Sequence, residues 1–162
     1  MITIYTCRRG QGRVAEILDE VVTLAADPLL VPLRPIAVLA ALDCADRDLA
    51  EALIGRWGAD VRDDWAADFL LAVWGFVAAR LGVPDPGELY DRLLPYADRL
   101  ITMGMGSAGW GSYHLVLAEL AQRLGRREQA IEHARQAAAT HRRLGLAYYE
   151  RRSVELLAAL SG

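Results

Sequence analysis

Arg123-Leu124-Gly125-Arg126-Arg127-Glu128-Gln129-Ala130-Ile131 is the stretch that decides the fold. Apolar residues recur at helical spacing before it, from Trp110, and again after it, to Leu144, while the Leu-Gly pair is a stop signal followed at once by a new start. The small side chain of Ala130 lets the second helix approach the first. The unit is therefore an antiparallel helical hairpin. A similar junction, Arg80-Leu81-Gly82, lies 43 residues earlier, and a weaker one, Leu42-Asp43, lies 39 residues before that. One hairpin recurs with a period of about 40 residues.

Pro35 suits a first helical turn, and the helix it opens reaches about Cys44. Asp46 caps a helix that runs through Trp57 and stops at Gly58. From about Asp64 to Leu81 almost no polar face is left, so that helix must be enclosed by neighbours. Asp85 and Pro86 start another, predicted to run to Met103 with a bend where Pro95 removes a hydrogen bond. Three long hairpins follow: 34–44 with 46–57, 64–81 with 86–103, and 110–125 with 127–144. A final helix, 146–160, closes the stack, since an open end of a solenoid exposes apolar surface. An earlier helix runs from Thr3 or Arg13 to Ala26. Residues 1–12 stay undecided, because Ile2, Ile4 and Tyr5 alternate like a strand while Gly10 and Gly12 weaken any helix. The expected fold is a single all-α domain over 1–162 with no strand, a short superhelix of tetratricopeptide-like hairpins whose helices exceed those of the standard repeat of about 34 residues.

Composition agrees with one globular domain: 54% of residues are hydrophobic and 24% charged, enough to build a core without disulfides. All 18 basic residues are Arg, and Lys and Asn are absent, which reads as genomic base composition rather than function. The net charge of −3 offers no positive field for nucleic acid. Charge is uneven, with 12 acidic residues against 5 Arg from Asp43 to Asp98, and 8 Arg against 4 Glu from Ala121 onward. That asymmetry is the mark either of solvated helix faces or of a polarised groove. Cys7 and Cys44 have no CxxC spacing and no companion His pair, so they read as reduced thiols of a cytoplasmic protein. No apolar run is long enough to span a membrane, and the N-terminus lacks a signal-peptide pattern.

Several stretches resemble the C-terminal tetratricopeptide region of large ATP-binding LuxR-like and cyclase-linked bacterial regulators. They are Leu93-Leu94-Pro95-Tyr96-Ala97-Asp98-Arg99-Leu100, Leu124 to His133, and Thr140-His141-Arg142-Arg143-Leu144-Gly145, with weaker likeness at Arg8 to Arg13 and Leu33-Arg34-Pro35. The resemblance implies a helical sensor or scaffold that binds an effector or partner and relays it to an ATPase and a DNA-binding domain. No GxxxxGK[ST] loop is possible without Lys, and no helix-turn-helix is evident, so the chain is expected to be a detached or stand-alone module.

In a stack of such hairpins the first helices line a concave face, which places Trp65, Phe69, Trp110, Tyr113, His114, Tyr148 and Tyr149 around one groove, with Arg152, Asp63 and Asp64 as its polar groups. Aromatic area with a few polar groups suits an aromatic or polycyclic small molecule; the competing reading is plain core. His114 is the best acid or base, with Asp63 or Asp64 to orient it. His133 and His141, eight apart without HExxH company, do not read as metal ligands, and no cofactor is expected. Gly104-Met105-Gly106-Ser107-Ala108-Gly109 matches GxGxxG, but a helix rather than a strand is expected before it, so it reads as an interhelical loop. The first expectation is a binding module for a small molecule or protein segment. The alternatives are a small cyclising or isomerising enzyme in the same groove, and a homodimer that buries the N-terminal helical surface.

Overall fold

The computed structural model describes residues 1–61, 67–103, 106 and 108–162, and Asp63, Asp64 and Trp65 lie outside them. The helical-hairpin fold is borne out. Helix α1 (Ile2–Gly10) leads through a 3-10 turn (Val14–Ile17) into α2 (Leu18–Ala25). The hairpins follow as α3 (Arg34–Asp43) with α4 (Arg47–Trp57), α5 (Ala67–Leu81) with α6 (Pro86–Leu93), and α7 (Tyr113–Arg123) with α8 (Arg127–Arg143). Helix α9 (Ala147–Ser161) packs on α8. Among the described residues no helix is long and apolar enough to cross a membrane.

The first helices of the three hairpins stand side by side in the order α3, α5, α7 and form the buried layer. Their sequences explain this. Helix α3 buries Pro35 through Ala41 without a break, its alanines giving neighbours close approach, and α5 buries every residue from Phe69 to Ala78. Gly75 is needed there, because an added Cβ would stand 2.6 Å from Val116 Cγ2 on α7 and 2.9 Å from Leu93 Cδ1 on α6.

Three of the turns share one hydrogen-bond motif. The amide of Asp46 donates to Ala41 O, that of Arg126 to Ala121 O and that of Leu146 to His141 O, each at 2.9 Å and each closing a helix in a Schellman turn. The residue before each donor is left-handed: Ala45 (φ 59°), Gly125 (φ 71°) and Gly145 (φ 68°). The Leu42-Asp43 junction looked weak in the sequence because Ala holds the place that Gly holds in the other two. Five residues after Ala45 and Gly125 sit Ala50 and Ala130, both fully buried, as the small-residue argument requires.

Two boundaries are corrected. The helix expected over 86–103 ends at Leu93, where Pro95 lies in a 3-10 turn (Leu94–Tyr96), and the helix expected from Trp110 starts at Tyr113. The residues between form an antiparallel hairpin, β1 (Leu100–Met103) and β2 (Ala108–Ser112), with Leu100 opposite Ser112 and Thr102 opposite Gly109. So the expectation of no strand was wrong. Ile101 and Thr102 are β-branched, and Gly109 and Gly111 disfavour helix. One extra residue between Gly109 and Ser112 makes a bulge, with Gly111 at φ 79°. Of the GxGxxG match, Gly104, Met105 and Ser107 lie outside the described residues; β1 precedes it and β2 begins at its Ala108, which is a pair of antiparallel strands and not the strand-to-helix turn of a βαβ unit.

Candidate functional site

The N-terminal helix and the β-hairpin occupy the face on which an open groove was expected. Tyr5 and Arg9 of α1 and Trp110 of β2 are at most 2% exposed, and the Trp110 ring lies 5.6 Å from Tyr5 and 5.0 Å from Phe69, centroid to centroid. Trp110 Nε1 donates to Thr6 Oγ1 at 2.8 Å, which ties β2 to α1. Phe69, Trp110 and Tyr113 are therefore core residues, correcting their placement on a ligand-lined wall. Tyr113 stacks on Tyr96 and donates its hydroxyl to Asp68 O, and burial raises its pKa.

Beneath α1 is a buried ionic cluster. Asp43, at the end of α3, accepts from Tyr5 Oη and Arg9 Nε on Oδ2, each at 2.7 Å, and from Arg80 Nη1 on Oδ1 at 2.8 Å. Burial alone would raise the Asp43 pKa, but the two guanidinium charges and the donated hydrogen bonds outweigh it and hold the carboxyl at about 2. Among the described residues Arg9 Nη1 and Nη2 have no hydrogen-bond acceptor; its Cζ instead lies over the rings of Trp110 and Phe76, at 4.9 and 5.2 Å. Phe76 also carries Arg152, whose guanidinium pairs with Glu119.

A cavity of about 390 Å³ opens beside this cluster. Its lining comes from both ends of the chain: Arg9, Gly12, Val14 and Ala15, the turn Asp43-Cys44-Ala45, and Tyr148 of α9. Burial and then the nearby Asp43 and Asp46 charges raise the Cys44 pKa, so it stands there as a neutral thiol. A second, smaller cavity of about 170 Å³ lies between Pro32, Arg34, Trp57 and Trp74.

The three histidines divide into two arrangements. His141 is fully buried and accepts from the Ser112 amide on Nε2 at 2.8 Å. Its Nδ1 must then carry the hydrogen, donated to Ser153 Oγ at 3.0 Å, while Ser153 donates to Tyr149 O. Burial lowers the His141 pKa, and this ring is a neutral structural cross-brace. His114 and His133 instead face each other, Nδ1 to Nδ1, at 2.8 Å. His133 Nε2 meets Tyr90 Oη at 3.0 Å, and His114 Nε2 lies 3.5 Å from the fully exposed Asp98 carboxylate. Burial, then the neighbouring His114, lowers the His133 pKa.

The sequence singled out His114 but not its neighbours, and Asp63 and Asp64 lie outside the described residues. The partner supplied by the fold is His133, 19 residues on and across the α7–α8 hairpin, where no local pattern marks it. Of the other named residues, Tyr148 lines the larger cavity and Tyr149 is buried beside it, its hydroxyl pushed up to about 12 by burial. Arg152 is held by Glu119, and Trp65 falls outside the described residues. The described residues contain no group of three side chains placed to hold a metal ion. Comparison with protein-family models, with curated proteins and with solved structures returns no match for this chain.

Proposed function

We propose that this chain is a binding module that takes a small molecule in the cavity between the end of α1, the α3–α4 turn and Tyr148. The observation that carries the reading is that cavity of about 390 Å³, within the size range of small-molecule sites, with mixed apolar and polar walls. Val14, Ala15 and Ala45 supply apolar surface, and Tyr148 supplies an aromatic face and a hydroxyl. Asp43 is already fully engaged by Tyr5, Arg9 and Arg80, so it shapes the wall more than it recruits a charge.

Backbone geometry supports the same location. Ala45 is the one non-glycine residue at positive φ among the described residues, and it lines the cavity. Such strain collects at functional sites, where the surrounding structure holds it. An occupant would contact α1 and α9 together and bind the two ends of the chain to each other. A regulatory role, as effector sensor, is what the resemblance to the bacterial regulators adds.

The test is a thermal-shift screen of metabolites, with native mass spectrometry of the purified protein, on wild type and on Ala15→Trp. Ala15 is exposed at the cavity wall, so the indole fills the space with little cost to the fold. Compounds that raise the wild-type Tm should lose their effect in the variant. A compound that stabilises both equally binds elsewhere, and a screen with no hit on wild type sinks the reading.

A further inference from the structure

The contact between His114 and His133 restricts protonation in a way that an ordinary surface histidine pair does not. Two Nδ1 atoms 2.8 Å apart can hold only one hydrogen between them. With both rings neutral and Asp98 ionised, every donor in the chain has one direction. The Asp98 carboxylate, in ionic contact with His114 Nε2 at 3.5 Å, favours hydrogen on that nitrogen; His114 Nδ1 then accepts from His133 Nδ1–H, and His133 Nε2 accepts from the Tyr90 hydroxyl. A first added proton costs no contact: at His133 Nε2 the hydrogen turns toward Tyr90 Oη, which becomes the acceptor, and the hydrogen between the two Nδ1 atoms can then lie on either ring, so the pair shares the charge. A second proton must go to His114 Nδ1, where N–H would point at N–H. That step breaks the contact.

We propose that His114 and His133 form a one-proton site that works as an acid-operated latch on the seam of α6, α7 and α8. The latch stays shut with no or one added proton and opens with two. The groups around it grade the response. Asp98, from the segment before β1, faces His114 Nε2, and Glu132 on α8 favours charge on His133. Arg126, 5.1 Å above the Tyr90 ring, lowers the pKa of that hydroxyl, while Asp91 on α6 raises it. The neutral and singly charged states both keep the Nδ1–Nδ1 and His133–Tyr90 hydrogen bonds, so protonation is tolerated until the second step and is then disruptive. The seam that opens includes Tyr90, whose edge packs on His133. The site is separate from the α1 cavity and stands whether or not that cavity binds anything.

The experiment is a nitrogen-detected NMR titration of the imidazoles in the whole protein, with amide hydrogen exchange followed at each pH. In wild type, His114 and His133 should share two titration steps separated by more than about one pH unit, as interacting sites do. Exchange at amides of the α7–α8 hairpin should rise at the second step only. In His133→Gln, His114 should titrate in a single step and the acid-dependent rise in exchange should vanish. Asp98→Asn changes a fully exposed residue, so it tests the pair without risk to folding; it should keep two separated steps and leave the exchange rise tied to the second. Two independent single-step titrations in wild type, or amides whose exchange ignores the second step, overturn the proposal.

Discussion

Arg9 Nε donates to Asp43 Oδ2 at 2.7 Å across 34 positions of sequence, and through this bond the N-terminal helix is locked to the end of α3. The pair is not isolated, because Asp43 also holds Arg80 and Tyr5. The two partners are therefore unequal. Removing Arg9 leaves Asp43 with a cation and a hydroxyl, whereas removing Asp43 leaves two guanidinium groups facing each other.

Asp43→Ala should cost about 3–5 kcal/mol of stability, as expected when a buried charge loses its partner. Arg9→Met, which keeps most of the side-chain volume over Phe76 and Trp110, should cost less. The pH dependence follows from the depressed carboxyl. Its stabilisation is complete above the unfolded value near 4 and is lost as pH falls toward about 2, a contribution on the order of 2 kcal/mol. Urea denaturation of wild type and both variants between pH 7 and 2 checks the order and the window.

Ala45 takes a backbone conformation that costs an L-residue roughly 1–2 kcal/mol and glycine far less. Ala45→Gly should raise stability by about 0.5–1 kcal/mol, or about 1–4 °C in Tm for a chain of this size. Gly125→Ala, at the same place in the α7–α8 turn, should lower it by a similar amount. Calorimetric melts of the two variants test whether the turns are equivalent.

Trp110→Ala should cost about 3–5 kcal/mol, because the ring is fully buried against Tyr5, Phe69 and Arg9. A wall residue of an open groove would give a change near zero. The distinction needs only a chemical denaturation curve, and a near-neutral result would return Trp110 to the ligand-lined wall.

Gly111→Ala should destabilise by about 2–4 kcal/mol, combining positive-φ strain with overpacking. Its Cβ would stand 2.7 Å from His141 Nε2 and 2.9 Å from Tyr149 Cγ. His141 itself couples stability to pH. Its folded pKa is lowered, so the unfolded chain takes up a proton first; stability is complete above about 6.5 and declines as pH falls below it. Thermal melts from pH 7.5 to 5 should show that decline, and His141→Gln should reduce it, leaving the part that His133 contributes.

The hairpins were legible in the sequence because their signals are local. Gly125 and Gly145 allow the left-handed turn, Asp46 and Asp85 cap helices α4 and α6, and the apolar run from Phe69 to Ala78 permits only an enclosed helix. The β-hairpin was less visible, since four or five residues per strand give too short a pattern to outweigh a helical context. Tertiary structure alone decided which aromatics are core, because α1 and β2 come from opposite ends of the first 112 residues to cover Phe69 and Phe76. It also decided that His114 meets His133 and that Arg9 meets Asp43. Turn and helix preferences act over a few neighbouring residues, whereas these pairings depend on how whole helices pack, and no spacing along the chain encodes the 2.8 Å between two Nδ1 atoms.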